Sequence, residues 1–179
     1  MGTGLARHLK VSPADASSYT VVINLPGVDR IFLHCPGAND TFSPDDVDVA
    51  ALPGARLLHF GYPPLMRAVY ADGGRALAAF LQRVKSRGMT TSLDMARPDP
   101  ASEAGRTDWR SFLARVLPAV DIFLPSIEEI LYMLDASRFA SALNGAQPLH
   151  AAVDGEVLRE ISGALLDMGA GVVGLKLGD

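Results

Sequence analysis

The chain has 179 residues, of which 49% are hydrophobic and 20% charged, and a formal net charge of −4 at pH 7. That length suits one domain with a sizeable core, the balance excludes a disordered chain, and the negative charge argues against a nucleic-acid or anionic-membrane surface. Cys35 is the single cysteine, Met1 to Lys10 lacks a signal peptide's apolar core, and no apolar run is long enough to span a bilayer, so a reducing, cytoplasmic setting is expected.

In chain order, Tyr19 to Leu25 and Arg30 to Cys35 are rich in β-branched and aromatic residues, and Pro26-Gly27-Val28-Asp29 between them is a turn signal. They predict an antiparallel β-hairpin. Strands and helices then alternate. Arg56 to Phe60 reads as a short strand and Asp72 to Arg87 as a helix with Leu77, Phe80, Leu81 and Val84 on its apolar stripe, stopped by Gly88. Thr90 to Met95 is the next strand and Asp108 to Leu117 the next helix, with Trp109 in its first turn as a packing residue. The apolar run Ile122 to Leu124 predicts a buried strand that ends at Pro125, and Ser126 opens a helix. Asp154 to Met168 is a further helix stopped by Gly169, and Val172 to Leu177 a last strand. This alternation predicts an α/β fold, a mostly parallel sheet covered by helices, from which the hairpin projects as a flap.

Ala96 to Thr107 reads as a loop beyond a strand's carboxyl end. Ala136 to Val153 reads mainly as loop, with a short helix around Phe139 to Leu143 compatible with its residues. The chain starts without a first buried strand and stops at Asp179 directly after one. It is therefore expected to be a fragment of a longer protein, with strand edge and apolar sheet face exposed.

Ser126 with Glu129 three residues later has the spacing of a capping box. The same pair stands where helix N-termini offer N–H groups to anions at the rim of an open parallel sheet, and the sequence leaves both roles open. Gly61, Asp94, Lys176 and Gly178 also fall at strand ends. Asp94 either orients a cation or hydroxyl or caps a turn; Lys176 either meets phosphate or is solvated. Their common rim makes a small-molecule site the default hypothesis. Gly169-Ala-Gly-Val-Val-Gly174 spells the dinucleotide fingerprint, but a helix precedes it and a strand follows, the reverse of what that motif requires. His8, His34, His59 and His150 are scattered without ligand spacing.

The segment TVVINLPGVDRIFLHCPGAN, Thr20 to Asn39, resembles the lid hairpin of the ribokinase-like (PfkB) carbohydrate kinases. LLHFGY from Leu57, TSLD ending at Asp94, DIFLPSIEE from Asp121 and LKLG from Leu175 follow in that family's order and approximate spacing. The resemblance implies a ribokinase-like fold over residues 1–179, a partial kinase domain, with the lid hairpin and its Gly-Ala-Asn loop at 18–42. It implies ATP- and Mg²⁺-dependent phosphorylation of a hydroxyl on a sugar or sugar-like substrate. Arg30, Asn39, Gly61 and Asp94 take substrate-binding places, Ser126, Lys176 and Gly178 nucleotide or phosphate places, and Glu129 the metal place. Ser126 stands where the family's Asn-x-x-Glu motif has asparagine.

The family's Gly-Ala-Gly-Asp element, which carries the anion hole and the base, has no counterpart here. Gly37-Ala-Asn-Asp-Thr-Phe42 has Asn39 at a glycine place, and Gly169-Ala-Gly171 lacks the aspartate. The base is expected beyond Asp179, so the chain reads as the middle of a kinase that is inactive alone. Alternatives are a nucleoside kinase of the same family, or a non-catalytic module that binds a small metabolite. The hairpin's apolar residues are compatible with pairing to a second copy.

Overall fold

The computed structural model describes residues 9–27, 30–143 and 153–178. Strands β1 (Tyr19–Ile23) and β2 (Ile31–Cys35) form the predicted antiparallel hairpin, with Tyr19 opposite Cys35 and Ile23 opposite Ile31. Gly27 sits at φ 75°, a conformation that favours glycine, while the remaining turn residues 28 and 29 lie outside the described residues. Strand alternation puts Val21, Ile23, Ile31 and Leu33 on one face and Val22 and Phe32 on the other, and all six are exposed. The hairpin is therefore apolar on both faces. At its base, Gly37 is held at φ 48°, where a Cβ would stand 2.5 Å from the Ala16 carbonyl oxygen.

A four-stranded sheet follows, ordered β3-β4-β5-β6 and parallel throughout. Its strands are β3 (Leu57–Phe60), β4 (Thr90–Leu93), β5 (Ile122–Phe123) and β6 (Val172–Val173). Between β3 and β4 lie α1 (Arg67–Tyr70) and α2 (Arg75–Ser86), and between β4 and β5 lies α3 (Trp109–Val116). Helices α4 (Ile127–Leu134), α5 (Ala136–Leu143) and α6 (Gly155–Asp167) connect β5 to β6. Each strand joins the sheet beside its predecessor, so right-handed crossovers lay the helices on one face.

The register separates the two faces. Phe60, Leu93, Phe123 and Val173 form one row, in which the first three are buried with Leu77, Phe80, Leu81 and Val84 of α2 and Phe112 and Leu113 of α3. His59, Ser92, Ile122 and Val172 form the opposite row, where His59 Nδ1 lies 3.1 Å from Ser92 Oγ. At the sheet edges Leu57 is 52% and Val172 57% exposed, so the strand edges are open among the described residues, whereas Ser92 and Ile122 in the middle of that face are buried and half-buried. No helix among the described residues is long and apolar enough to cross a membrane.

Several boundaries differ from the predicted ones for physical reasons. The predicted helix from Asp72 begins at Arg75, because Asp72 is spent on capping: Oδ1 accepts from the Gly74 and Arg75 N–H groups at 2.8 and 3.0 Å. The single turn α1 before it carries no periodic signal. The short helix around Phe139 to Leu143 starts earlier, at Ala136, because the Asp135 carboxylate caps it by accepting from Arg138 N–H at 2.9 Å. The rest of that predicted loop, 144–152 with His150, lies outside the described residues. The loop from Ala96 contains a 3₁₀ turn, Ala104–Arg106, and Trp109 packs on it, buried, with Nε1 donating to the Ala104 carbonyl at 2.8 Å. The fingerprint-like glycines serve close packing: a Cβ on Gly169 would lie 2.9 Å from Pro118 Cα, and one on Gly171 2.8 Å from Asp121 O.

At the amino-terminal edge of the sheet, Asp121 joins three elements. Its Oδ1 accepts from Lys85 Nζ of α2 at 2.6 Å, and its Oδ2 from the Thr91 N–H of β4 at 2.8 Å. The lysine beside Asp121, with the Thr91 hydrogen bonds, holds its carboxyl below the ordinary aspartate range. A carboxylate with a lowered folded pKa stabilises above its unfolded pKa and loses that contribution as pH falls through the folded value. Asp121→Ala is therefore expected to cost about 1–3 kcal/mol at pH 7, since it strands the Thr91 N–H. In urea titrations the gap from the parent chain should narrow as pH drops below about 4; a gap that does not change with pH would remove the electrostatic part of this account.

Candidate functional site

Parallel strands bring their carboxyl ends to one rim, and main-chain bonds fix the groups there. Asp94, the residue after β4, donates its N–H to the Phe60 carbonyl at 3.0 Å, which sets it beside Gly61. The Gly61–Tyr62 peptide bond is cis. Lys176 makes a parallel bridge with Ser126: its N–H donates to Pro125 O, and its carbonyl accepts from the Ile127 N–H, both at 2.9 Å. Across the rim, Lys176 Nζ reaches both oxygens of Asp94, at 2.9 and 2.7 Å. The Asp94 side chain is 12% exposed and that of Lys176 52%, so a mostly buried aspartate is covered by a half-exposed lysine.

Ser126 and Glu129 form a complete capping box. Ser126 Oγ accepts from the Glu129 N–H at 3.2 Å, and Glu129 Oε2 accepts from the Ser126 N–H at 2.7 Å. With Ile127 N–H committed to Lys176 and Ile130 N–H to Ser126 O, the first turn of α4 is largely closed to an incoming anion. Any phosphate here would meet the Ser126 hydroxyl and the Lys176 ammonium before main-chain N–H groups. Burial pushes the Glu129 carboxyl up, against its hydrogen bonds to Ser126, and the negative charge of Asp94 adds to the rise.

Asp94, Ser126, Glu129 and Lys176 are thus brought together, with Gly61 adjacent. Gly178 follows at φ 83° with open space where a Cβ would be, so backbone conformation and not close approach selects glycine there. Arg30 and Asn39 belong to the hairpin side: Arg30 lies 5.7 Å over the Phe32 ring, and Asn39 closes the Gly37–Asn39 3₁₀ turn. That turn heads no α-helix, which removes the helix-end anion hole that Gly37 to Phe42 would need to act as the missing element.

Sequence reasoning did not assign Arg97, which the structure puts on the same rim. Its Nε pairs with Glu128 of α4 at 3.2 Å, and its guanidinium lies 5.8 Å over the Phe139 ring. The signal available was its place three residues beyond Asp94, in the loop that borders the site.

Among the described residues, no group of three or more histidine, cysteine or acidic side chains could hold a metal ion. The donor set fits Mg²⁺ only in its usual nucleotide-bound mode, through one or two carboxylates with water and phosphate oxygens completing the shell. Glu129 has one oxygen beyond its cap bond for that purpose, whereas both Asp94 oxygens face Lys176.

No protein-family model and no curated protein matches the sequence. Solved structures do. A ribokinase from Giardia lamblia is 16% identical at a TM-score of 0.56, the match covering 91% of this chain and 40% of that one. A PfkB protein from Polaromonas sp. JS666 is 17% identical at 0.58, with 90% and 48% covered. An E. coli protein solved in complex with ATP and Mg²⁺ is 20% identical at 0.53, with 91% and 46% covered. The fold is ribokinase-like. The chain spans less than half the length of these structures.

The capping box can be separated from a ligand role. Ser126→Ala is expected to lose about 1 kcal/mol of stability. Glu129→Gln keeps an acceptor for the Ser126 N–H while removing the charge that burial disfavours, so it should match or exceed the parent at pH 7. A carboxyl whose folded pKa is raised costs stability as pH climbs from the unfolded to the folded value, so this advantage should vanish below about pH 4. Urea midpoints at both pH values check it; a Glu129→Gln chain less stable than the parent at pH 7 would contradict it.

Proposed function

We propose that this chain supplies the lid and the phosphate-facing rim of an ATP- and Mg²⁺-dependent kinase acting on a hydroxyl of a sugar or sugar-like compound. The supporting observation is the convergence of Asp94, Ser126, Glu129 and Lys176 at the carboxyl ends of a parallel sheet of ribokinase-like fold. In this reading Lys176 and the Ser126 hydroxyl face nucleotide phosphates, with Gly178 letting the following backbone turn past them. Glu129 would hold the metal through the oxygen left beyond its cap bond, and the metal when bound would neutralise phosphate charge. Asp94 and Gly61 face the acceptor's hydroxyls, and the lid, with Arg30 and Asn39, closes over it.

Phosphoryl transfer further needs a base to take the hydroxyl proton and donors to stabilise charge on the moving group. In this reading no segment among the described residues supplies both. The expected outcome is sugar-dependent ADP release by the complete natural protein on a panel of sugars, sugar acids and nucleosides, and none by residues 1–179 alone. Losing one anion-hole donor costs about 10²–10³ in rate, so turnover by residues 1–179 within tenfold of the complete protein would overturn this division of labour. Turnover of nucleosides only would favour the nucleoside-kinase alternative.

The hairpin supports a second assignment, self-pairing. A two-stranded sheet is marginal alone, and this one exposes Val21, Ile23, Ile31 and Leu33 on a single face. A second copy laid on that face would bury it. Light scattering is expected to show a dimer that Val21→Lys converts to monomer; a monomeric parent protein would end the assignment.

A further inference from the structure

The residues assigned to the acceptor side and to the phosphate side of the rim are bonded to each other. Lys176 Nζ sits on both Asp94 oxygens, so two of its three donors are spent on Asp94, and the carboxylate is covered while that contact lasts. The backbones on both sides are clamped, Asp94 to Phe60, and Lys176 to Pro125 and Ile127. Asp94 is held further, because its Oδ1 also accepts from the Met95 N–H at 2.8 Å and its side chain is mostly buried. Lys176, with its side chain half-exposed and its ammonium on a flexible four-carbon stem, is the partner that can leave without any main-chain change.

We infer that the Lys176–Asp94 ion pair is an exchange latch that couples the two halves of the site. A polyphosphate takes the ammonium from Asp94, and the released carboxylate becomes an acceptor for the hydroxyls of the second substrate. Whichever ligand arrives first bears the cost of breaking the contact, and the other then binds more tightly. By linkage the gain is the same in both directions. Arg97, held by Glu128 at 3.2 Å on the same rim, does not touch Asp94 in this arrangement and leaves the latch to Lys176.

The latch presupposes the phosphate role of Lys176 in the kinase reading, and the test separates the two. Inorganic tripolyphosphate, without metal or nucleotide, is titrated calorimetrically into the parent chain, Asp94→Asn, Lys176→Met and the double variant, each checked for an unchanged folded spectrum. With Lys176 present, Asp94→Asn should tighten tripolyphosphate binding by up to about fivefold, the upper end of the scale of a partly exposed ion pair. In the Lys176→Met background the same change should have little effect, because no ammonium remains to be freed. Equal tightening in both backgrounds would mean only a general charge effect and would overturn the latch while leaving the phosphate rim intact. Binding that Lys176→Met does not weaken, or no binding by any variant, would overturn the latch together with the phosphate role of Lys176. Asp94→Asn binding no tighter than the parent chain would overturn the latch alone.

Discussion

Every strand of the four-stranded sheet runs in the same direction, each added beside the one before it. From this constraint the rest follows. Right-handed crossovers send the helices to one face, where Phe60, Leu93 and Phe123 meet the apolar stripes of α2 and α3. The carboxyl ends of all strands arrive at one rim, so residues distant in sequence become neighbours there. The opposite edge, where strands begin, is instead tied by Asp121, Lys85 and Thr91. One end of the sheet is structurally cross-linked and the other is left to groups with chemical potential.

Features set by local spacing were legible in the sequence. The capping box at Ser126 and Glu129 needs only a serine and a glutamate three residues apart after a strand-ending proline, and it is present with both bonds made. The hairpin, the parallel alternation and the packing role of Trp109 were equally local or periodic. Asp72 was placed inside a helix because an aspartate in the first turn and an aspartate just before it look alike until Gly74 takes φ 82°. What no local pattern could show is the Lys176–Asp94 bond, which joins residues 82 positions apart. The closing of the α4 N-terminus by the Lys176 carbonyl was hidden for the same reason. It is a tertiary contact, and it changes the meaning of the helix end from an anion site to a packed joint.

The choice of residues at that joint is itself informative. Asp94 is nearly buried and Glu129 close enough for their charges to repel, a combination that would leave uncompensated negative charge at the rim without a cation. An arginine at position 176 would engage Asp94 through a rigid, bidentate fork and give it up reluctantly. Lysine offers a point charge with freely rotating donors, which screens Asp94 just as well but directs no single partner. Because the Lys176 side chain remains half in water, the pair contributes modestly to stability, as partly exposed ion pairs do. A contact that is worth little to the fold, yet sits on a nearly buried carboxylate between rigid backbones, is better suited to being exchanged than to holding the sheet together. Asp121 shows the contrast within the same molecule: its carboxylate takes a main-chain N–H of β4 along with Lys85, so losing it would cost the sheet directly.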